Sequence, residues 1–395
     1  MSWQTVSLEE LCSFENGDRG KNYPGKSSHV EFGVPFVSAG DLAGGRINDS
    51  GLSFISDDHY NRLSNGKFQK GDFLFCLRGT LGKSAYVDRE IHGAIASSLI
   101  IIRPGEELHP NYFRAYLNSD QCVRQIDLFR NGAAQPNLSA ASLKKFEIPL
   151  PSLDEQKRIA AILDQADALR RMRQRAIDRL NTLGQAIFYE MFGDPMDDPK
   201  QHLNWRAEPL DESVHFIDYR GKTPPKTEAG IPLITAKNVK MGFIRRDPQE
   251  YIDASAYDTW MNRGFPKKGD ILFTTEAPLG NVAELNTDEK LVVGQRLLTL
   301  QPAQAKIDPI YLMYFLMSQG FRRLMFENST GSTVVGIKSK LLKKIPIAYP
   351  EIDDQVRFRD RVKQVGRLQN FAEDSVANTD ALFSSLQQRA FRGEL

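Results

Sequence analysis

The sequence is poor in cysteine, and its cysteines form none of the arrangements that bind metal or build a disulfide framework. Cys12, Cys76 and Cys122 all lie in the first half of the chain, and no two of them form a Cys-x-x-Cys pair. This usage is typical of a protein in a reducing compartment. The six histidines are scattered, with no pair at helical spacing and no neighbouring carboxylate cluster. We therefore expect no metal site.

The sequence also lacks an excess of charge of either sign and any long apolar run. Lys and Arg number 51 against 50 Asp and Glu, for a formal net charge of +1. Any surface that binds a polyanion must therefore be local. No apolar run approaches ~20 residues, so no membrane span is predicted. The first residues show neither the basic nor the apolar part of a leader peptide. We expect a cytoplasmic protein.

Catalytic motifs are missing too, although one segment comes close to a nucleotide-binding loop. Residues 79–84 read Gly-Thr-Leu-Gly-Lys-Ser, but Leu77 stands where a P-loop requires its first glycine. Residues 277–282 of the second half lack the lysine, so we interpret both segments as turns between strands. Neither the Asn-Pro-Pro-aromatic element of amino-methylating enzymes nor a Gly-x-Gly-x-x-Gly motif occurs. The sequence therefore predicts no catalytic residue and no cofactor.

What the sequence does contain is a large internal repeat. Gly-Val-Pro-Phe-Val at 33–37 returns as Gly-Ile-Pro-Leu-Ile at 230–234. Lys-Gly-Asp-Phe-Leu-Phe at 70–75 returns as Lys-Gly-Asp-Ile-Leu-Phe at 268–273. The offset stays at about 197–199 residues, which is much longer than the period of a solenoid repeat. Two similar but unequal copies predict a device that reads two different things.

Each copy contains short strand-like runs, a helical patch and then one long helix. The predicted strands are 34–38, 73–77 and 99–103 in the first copy and 231–235, 271–275 and 297–300 in the second; the helical patches are 112–117 and 311–317. From 154 to 192 there is no proline, and Gly184 is the only glycine. Apolar residues there recur in steps of three and four, as in the seam of a coiled coil.

The predicted seam continues in the second copy in the same register. Its residues are Ile159, Ile162, Ala166, Leu169, Ala176, Leu180, Leu183, Ile187, Phe358, Val365, Leu368, Ala372, Leu382 and Leu386. Arg173, Arg361, Ser375 and Thr379 interrupt it. The alternative is that each helix packs only on its own domain. At ~1.5 Å per residue, however, each helix is roughly 55 Å long, which is more than such a domain needs.

The polar loops and turns of the two copies carry the side chains that contact phosphates and base edges. The candidate DNA-binding residues are Arg19, Lys21, Asn22, Tyr23, Arg78, Thr80, Lys83, Arg130, Asn131, Gln135 and Asn137 in the first copy and Arg220, Lys222, Thr223, Lys226, Asn281, Ser332, Thr333, Lys338 and Lys340 in the second. A shared frame with divergent loops suits two readers of different short sequences. The alternative for each residue is a solvated loop position.

A basic cluster on the first long helix has a different interpretation. Arg170, Arg171, Arg173 and Arg175 could cross phosphates, but we expect them to face a protein partner or solvent.

Several short motifs follow one another in a fixed order along the chain. They are Ile-Pro-Leu-Pro at 148–151, Asp-Glu-Gln-Lys-Arg-Ile at 154–159, Gly-Ile-Pro at 230–232, Lys-Gly-Asp-Ile-Leu-Phe at 268–273 and Gln-Arg-Ala-Phe-Arg-Gly-Glu-Leu at 388–395. In this order, and with the duplication, the chain resembles the specificity subunit of a type I restriction-modification enzyme over essentially its whole length. The segment that leads into the second long helix, Tyr-Pro-Glu-Ile-Asp-Asp-Gln at 349–355, is less typical of the family than its counterpart in the first copy.

The resemblance implies an α+β fold. Two similar globular α/β target-recognition domains would be joined by two long helices that form an antiparallel coiled coil, with a pseudo-twofold internal repeat. The corresponding division is 1–152 for the first recognition domain, 153–192 for the central helix, 193–204 for a linker, 205–351 for the second recognition domain and 352–395 for the C-terminal helix.

The resemblance also implies a non-catalytic subunit that specifies the DNA sequence. Each recognition domain would read one half of a bipartite, asymmetric site in double-stranded DNA, and the helices would set the spacer. The implied protein partners are two copies of a methyltransferase subunit, docked on the helices, and a restriction-translocase subunit. Two alternatives remain open: a coiled-coil scaffold whose globular domains bind proteins, and a self-contained DNA modification enzyme.

Overall fold

The computed structural model describes residues 3–132, 136–196, 205–219 and 224–395, and the chain divides into two compact units. Unit 1 consists of Met1–Gln174 and Asp374–Leu395, and unit 2 of Arg175–Glu373. Each long helix therefore contributes residues to both units. The five-segment division, which treats the helices as separate segments, remains a prediction.

Unit 1 combines short strands with short helices and parts of both long helices. Its strands are β1 (Thr5–Ser7), β2 (Cys12–Asn16), β3 (His29–Val30), β4 (Val34–Val37), β5 (Leu42–Ala43), β6 (Arg46–Ile47), β7 (Ser53–Ile55), β8 (Lys67–Phe68), β9 (Phe73–Cys76), β10 (Ser84–Tyr86), β11 (Gly93–Ile95), β12 (Leu99–Pro104) and β13 (Glu147–Pro149). Its helices are α1 (Leu8–Leu11), α2 (Asp57–Arg62), α3 (Pro110–Leu117), α4 (Asp120–Phe129), α5 (Ala140–Lys144), the first part of α6 (Leu153–Phe192) and the last part of α12 (Ile352–Ala390).

Two sheets build the core of unit 1. A four-stranded antiparallel sheet has the order β10-β9-β12-β2, and a second sheet has the order β3-β7-β4-β11-β8 with β11 parallel to β4. Strand β9 is apolar throughout because both of its faces are covered. Phe73 and Phe75 belong to a cluster with Tyr112 of α3, whereas Leu74 belongs to a cluster with Val37 of β4.

Unit 2 has the same kinds of elements in the same order. Its strands are β14 (Arg206–Pro209), β15 (Val214–Asp218), β16 (Ile231–Ile234), β17 (Tyr251–Ile252), β18 (Ile271–Thr274), β19 (Val282–Glu284), β20 (Val292–Val293), β21 (Leu297–Pro302) and β22 (Pro346–Tyr349). Its helices are the last part of α6, α7 (Leu210–Ser213), α8 (Tyr257–Trp260), α9 (Pro309–Met317), α10 (Gln319–Glu327), α11 (Ser339–Leu342) and the first part of α12 (Ile352–Ala390).

The strands of the two main sheets of unit 2 repeat the order and register of their counterparts in unit 1, where the second sheet also contains β3 and β8. The order β15-β21-β18-β19 corresponds to β2-β12-β9-β10, and β17-β16-β20 corresponds to β7-β4-β11. Leu297 lies opposite Thr274 in unit 2, as Leu99 lies opposite Cys76 in unit 1. The paired outer strands β14 and β22 correspond to β1 and β13. The repeat seen in the sequence is therefore a repeat of one α/β architecture.

The repeated Lys-Gly-Asp motif forms the same turn in both units. Gly71 has φ +92° and Gly269 has φ +89°, a left-handed conformation that favours glycine. The Asp72 carboxylate accepts the backbone N–H of Gln69 at 2.9 Å, and that of Asp270 accepts the N–H of Lys267 at 2.9 Å. These contacts make both aspartates turn-forming residues.

A buried glutamine fixes the start of each long helix. Gln156 Oε1 accepts the N–H of His109 at 2.8 Å, and its Nε2 donates to the carbonyls of Glu107 at 2.9 Å and Pro151 at 3.0 Å. Gln355 makes the equivalent contacts in unit 2, with Asp308 N–H at 2.9 Å, Lys306 O at 3.0 Å and Pro350 O at 2.8 Å.

Replacing Gln355 by leucine is expected to lower the free energy of unfolding of unit 2 by about 1–3 kcal/mol, because a buried N–H and two buried carbonyls lose their partner. Hydrogen exchange at Asp308 and the start of α9 would rise. Gln364→Leu, an exposed site on the same helix, is the matched control. Unchanged exchange at Asp308 in the Gln355 variant would show that the amide does not hold this junction.

The two long helices run antiparallel within each unit. In unit 1, Arg170 Nε donates to Asp380 Oδ1 at 2.6 Å and Arg158 donates to the carbonyl of Leu395 at 2.8 Å. In unit 2, Gln369 donates to Asn181 at 3.1 Å, and Arg361 lies 3.4 Å from Glu190. In each unit, the residue numbers of the contacting residues from α12 and the C-terminal segment after it fall as those on α6 rise. The predicted fold class, two similar α/β units with paired long helices, is confirmed.

The predicted seam is wrong at alternate positions. Ile159, Ile187, Phe358 and Val365 are buried, and Ile162, Ala166, Leu180, Ala372 and Leu386 are partly buried. In contrast, Leu169, Ala176, Leu183, Leu368 and Leu382 are exposed. The neighbouring residues, one position later, are buried or partly buried instead: Arg170, Ile177, Gly184, Gln369 and Phe383.

The error has a simple physical cause. The predicted and the observed seam share every seventh residue. Between two of these shared residues lies one further seam residue, which can follow the first of them after three positions or after four. Apolarity alone favours the leucines at this position, although they are exposed. The seam instead accepts polar side chains that find partners across it, such as Arg170 with Asp380 and Gln369 with Asn181.

The expectation for the basic cluster is wrong for two of its four residues. Arg170 stacks over the ring of Phe383 at 4.6 Å in addition to its ion pair with Asp380. Arg173 donates to the carbonyl of Ser375 at 2.9 Å and contacts the hydroxyl of Thr379. Both residues therefore hold the helix pair of unit 1 together. Arg171 and Arg175 are exposed.

Candidate nucleic-acid interface

Three loops of unit 1 meet at one edge of its four-stranded sheet. The N–H of Leu77 donates to the carbonyl of Ser98 at 2.9 Å, and the N–H of Leu138 donates to the carbonyl of Leu77 at 2.9 Å. Arg78 consequently lies opposite Asn137, which in turn pairs with Asn131. The candidates Arg78, Asn131 and Asn137 thus come together although they are far apart in the sequence. This edge, built by residues 77–78, 96–98, 131–132 and 136–137, is the reading edge of unit 1.

The first polar loop reaches the same edge through one residue. Arg19 donates to the carbonyl of Ser97 at 3.3 Å and is exposed. The loop is shaped by Asp18, whose carboxylate accepts the N–H of Gly20 at 2.7 Å and that of Ser64 at 2.9 Å. These hydrogen bonds lower the pKa of Asp18 below its usual value. Asp18 therefore stays ionised and holds the loop at neutral pH.

The other candidates of the first loop lie along the second sheet. Asn22 donates to the carbonyl of Arg62 at 2.8 Å. Tyr23 packs edge-on against Phe36, with ring centroids 5.9 Å apart. Lys21 is exposed.

Two further candidates of unit 1 are occupied by protein contacts. Lys83 donates to the carbonyl of Ala39 at 3.0 Å, so its ammonium group ties the turn after β9 to the frame. Arg130 forms an ion pair with Asp127 at 3.2 Å on α4. Thr80 is exposed in the turn, and Gln135 lies outside the described residues.

Unit 2 builds the same edge from different side chains. The N–H of Thr275 donates to the carbonyl of Arg296 at 2.9 Å, and the N–H of Ile337 donates to the carbonyl of Thr275 at 3.0 Å. Gly336 lies opposite both Glu276 and Thr330. These residues enclose a cleft of about 490 Å³ whose rim includes Lys338. This edge, built by residues 275–276, 295–296 and 330–338, is the reading edge of unit 2.

Not every candidate of the second copy lies at this edge. Ser332 and Thr333 are exposed within its loop, and Lys340 is exposed on α11. Asn281 donates to the carbonyl of Val239 at 3.0 Å, and Lys226 pairs with Glu250 at 2.8 Å. Both of these residues therefore support the frame. Arg220, Lys222 and Thr223 lie outside the described residues.

One residue of the reading edge was missed in the sequence. Arg296 forms an ion pair with Glu276, with Nε 3.0 Å from Oε1. Its place in the repeat corresponds to Ser98, because the carbonyls of both residues accept the equivalent N–H groups of Thr275 and Leu77. Aligning the two copies in full would have exposed this exchange of serine for arginine.

The thiols of the partly buried Cys12 and the buried Cys122 are unreactive at neutral pH. Burial raises the pKa of Cys12 and of Cys122 to about 12, so neither thiol is a thiolate at neutral pH. Within the described ranges, no three His, Cys, Asp or Glu residues are grouped so that they could hold a metal ion. The described helices include none that is long and apolar enough to cross a membrane.

Comparison with known proteins links this architecture to one family. The type I restriction modification DNA specificity domain matches residues 1–182 and 220–375. The putative type I restriction enzyme MjaX specificity subunit of Methanocaldococcus jannaschii is 24% identical over 399 residues, covering 93% of this chain and 87% of the relative. The EcoKI specificity subunit of Escherichia coli K12 is 22% identical over 391 residues, covering 92% of this chain and 82% of the relative.

Solved structures agree at the level of the fold. A chain from a structural study of complex assembly and conformational transition in the type I R-M system matches with a TM-score of 0.65 and 22% identity, over 100% of this chain and 98% of that one. The S subunit from M. genitalium matches with a TM-score of 0.53 and 15% identity, over 99% and 96%. With the domain matched in both copies of the repeat, the chain belongs to the family of type I restriction-modification specificity subunits.

Proposed function

We propose that the two units read the two halves of a bipartite, asymmetric site in double-stranded DNA. The observation that carries the proposal is that one edge is built twice on the same hydrogen-bonded frame with different side chains. Unit 1 presents Arg78 with Asn137, and unit 2 presents Arg296 with Glu276. Arginine and asparagine pair with guanine and adenine edges in the major groove. Two different sets of donors on one frame suit two different half-sites.

We also propose that each unit docks one methyltransferase subunit on its long helices. Each unit exposes apolar side chains of the helix pair, and these exposed residues recur at equivalent places of the repeat. They are Leu169, Met172 and Leu382 in unit 1 and Leu368, Phe371 and Leu183 in unit 2. An exposed apolar set that the helix pair does not use favours a protein partner. Repetition of the set favours two identical partners.

In this proposal, catalysis resides in the partners. The chain supplies the sequence preference, the paired helices set the spacer between the half-sites, and a restriction-translocase subunit joins the complex. This agrees with the unreactive thiols of Cys12 and Cys122 and with the absence of methyl-transfer motifs from the sequence.

The test is selection from random double-stranded DNA by the complex of this chain with its methyltransferase subunit. We expect one split motif with a fixed spacer, and binding that weakens steeply as salt rises. The isolated chain should transfer no methyl group. Equal recovery of all sequences by the complex would refute the reading function. Methyl transfer by the chain alone would favour a self-contained enzyme, and loss of all DNA binding with intact protein complexes would favour a scaffold.

A further inference from the structure

An arginine in an unusual backbone conformation stands at the reading edge of unit 2. Arg296 has φ +65°, a left-handed conformation that costs energy for any residue except glycine. Its carbonyl accepts both the N–H of Thr275 at 2.9 Å and the hydroxyl of Thr275 at 3.3 Å. The buried Thr275 thus fixes the backbone from which the arginine side chain leaves. A strained backbone that the surrounding structure holds in place is a feature of functional sites.

A carboxylate then orients the side chain. Glu276 Oε1 lies 3.0 Å from Arg296 Nε, and both side chains remain accessible, at 41% and 54% exposure. Both residues line the cleft of about 490 Å³ between the turn after β18 and the loop 330–338. A carboxylate that engages Nε leaves the two terminal amino groups of a guanidinium as the donors for a ligand. The accessible pair therefore presents a prealigned two-donor fork at the rim of the cleft.

The two units place their arginine on opposite turns of the same frame. The position of Glu276 corresponds to Arg78 in unit 1, since each follows the residue whose N–H donates to the carbonyl just before β21 or β12. The position of Arg296 corresponds to Ser98. Unit 1 thus has arginine and serine where unit 2 has glutamate and arginine. An exchange that preserves one arginine but moves it to the other turn would shift the base that it reaches.

We propose that Arg296 reads a guanine in the half-site of unit 2 and that Glu276 is its positioning residue. A bidentate contact from the terminal amino groups to guanine O6 and N7 matches this fork. The proposal rests on the proposed function, because it assigns one base of one half-site to one side chain. It does not assign the other bases of that half-site.

The test is the same selection from random DNA, performed with the complex of this chain and its methyltransferase subunit. Arg296→Ser introduces the serine of unit 1, and Arg296→Lys keeps the charge without the planar fork. Both variants should lose about tenfold to a hundredfold of the preference for guanine at one position. Glu276→Gln should weaken that preference at the same position, and by less. The half-site of unit 1 should not change.

A second ion pair in unit 2 provides the matched control. Arg246 pairs with Glu289 at 2.9 Å and is as exposed as Arg296, but it does not line the cleft. Arg246→Ser should leave every base preference intact.

The outcomes separate the inference from the function beneath it. If the unaltered complex selects a split motif and Arg296→Ser changes no base preference, the assignment is wrong while the reading function stands. If Arg296→Ser weakens binding to all sequences equally, the side chain contacts phosphate, and the assignment is again wrong. If the unaltered complex selects no motif, the proposed function itself fails.

Discussion

Replacing four exposed residues of the long helices by glutamate is expected to abolish methylation by the assembled enzyme while leaving this chain folded. The four residues are Leu169, Met172, Leu368 and Phe371. The four side chains are exposed, at 39%, 56%, 56% and 75% respectively. Substitutions at such sites change folding stability by no more than about 0.5 kcal/mol. A charge placed in the apolar centre of an interface costs much more, about 2–4 kcal/mol for each anchor residue. Two such charges on one helix face would weaken the contact by about a thousandfold to a millionfold.

The repeat makes this experiment quantitative, because each pair of substitutions addresses one unit. Leu169→Glu with Met172→Glu should remove one methyltransferase copy, and Leu368→Glu with Phe371→Glu should remove the other. The mass of the intact complex gives the copy number directly. Leu128→Glu on α4, at 76% exposure the most exposed leucine of unit 1, is the control and should leave two copies bound. If the variant with all four glutamates still bound two copies of the methyltransferase subunit, the docking surface would lie elsewhere.

The strands could be predicted well because their sequence signal is local. The run that begins at Phe73 is apolar at every position, the run that begins at Ile271 has three apolar residues followed by threonine, and each run is preceded by Lys-Gly-Asp. A run covered on both faces needs no alternation, and the turn before it needs a glycine and a carboxylate. The observed strands, Phe73–Cys76 and Ile271–Thr274, differ from the predicted runs by one residue at the end.

The seam of the helices was harder to predict because its signal is shared between two helices. Leu368 is more apolar than Gln369, yet Gln369 faces Asn181 across the pair and Leu368 is exposed. Only the partner helix determines which of two adjacent residues lies in the seam. An exposed leucine on such a helix can also be covered by another protein. The apolar pattern of a single chain does not distinguish this case from a leucine in the seam.

The reading edge was predicted in part for a related reason. Arg78, Asn131 and Asn137 stand in recognisable polar loops, and the structure brings them together. Arg296 stands between the apolar strands β20 and β21 in a segment without such a signal. Its left-handed backbone and its pairing with Glu276 arise from contacts between distant segments. Sequence alone therefore locates the loops but not the side chains that the frame turns toward a ligand.

The substitution Arg103→Met is expected to lower the free energy of unfolding of unit 1 by about 2–4 kcal/mol. Arg103 Nε donates to Asp72 at 3.0 Å, and its terminal nitrogens donate to Glu15 at 2.6 Å and to the carbonyl of Lys67 at 2.7 Å. The Asp72 side chain is 3% exposed, so loss of Arg103 leaves a buried carboxylate without its charge partner. Breaking a fully buried pair costs about 3–5 kcal/mol, and the partial exposure of Arg103 reduces this value.

The loss of unfolding free energy caused by Arg103→Met should be larger at neutral pH than at acidic pH. Burial raises the pKa of Asp72, so its ionisation costs stability as pH rises through that pKa, and the cost grows when Arg103 is gone. For Glu15, burial opposes ionisation, but hydrogen bonds from Arg103, Lys67 and Gly66 lower its pKa overall. The stability from Glu15 is lost as pH falls, in the unaltered protein more than in the variant. Both effects make this loss largest near neutral pH and smaller near pH ~4.

Unit 2 provides the comparison that distinguishes charge from hydrogen bonding. Gln301 stands at the position of Arg103 and donates to Asp270 at 2.7 Å. Arg103→Gln should therefore recover part of the stability that Arg103→Met loses, because an amide still donates to Asp72. Hydrogen exchange along β9 and β12 measures the change in unit 1 alone. Arg89→Met, which removes a surface ion pair with Asp49, should cost no more than about 1 kcal/mol. If Arg103→Met behaved like Arg89→Met at every pH, the buried network would not stabilise the frame of the reading edge.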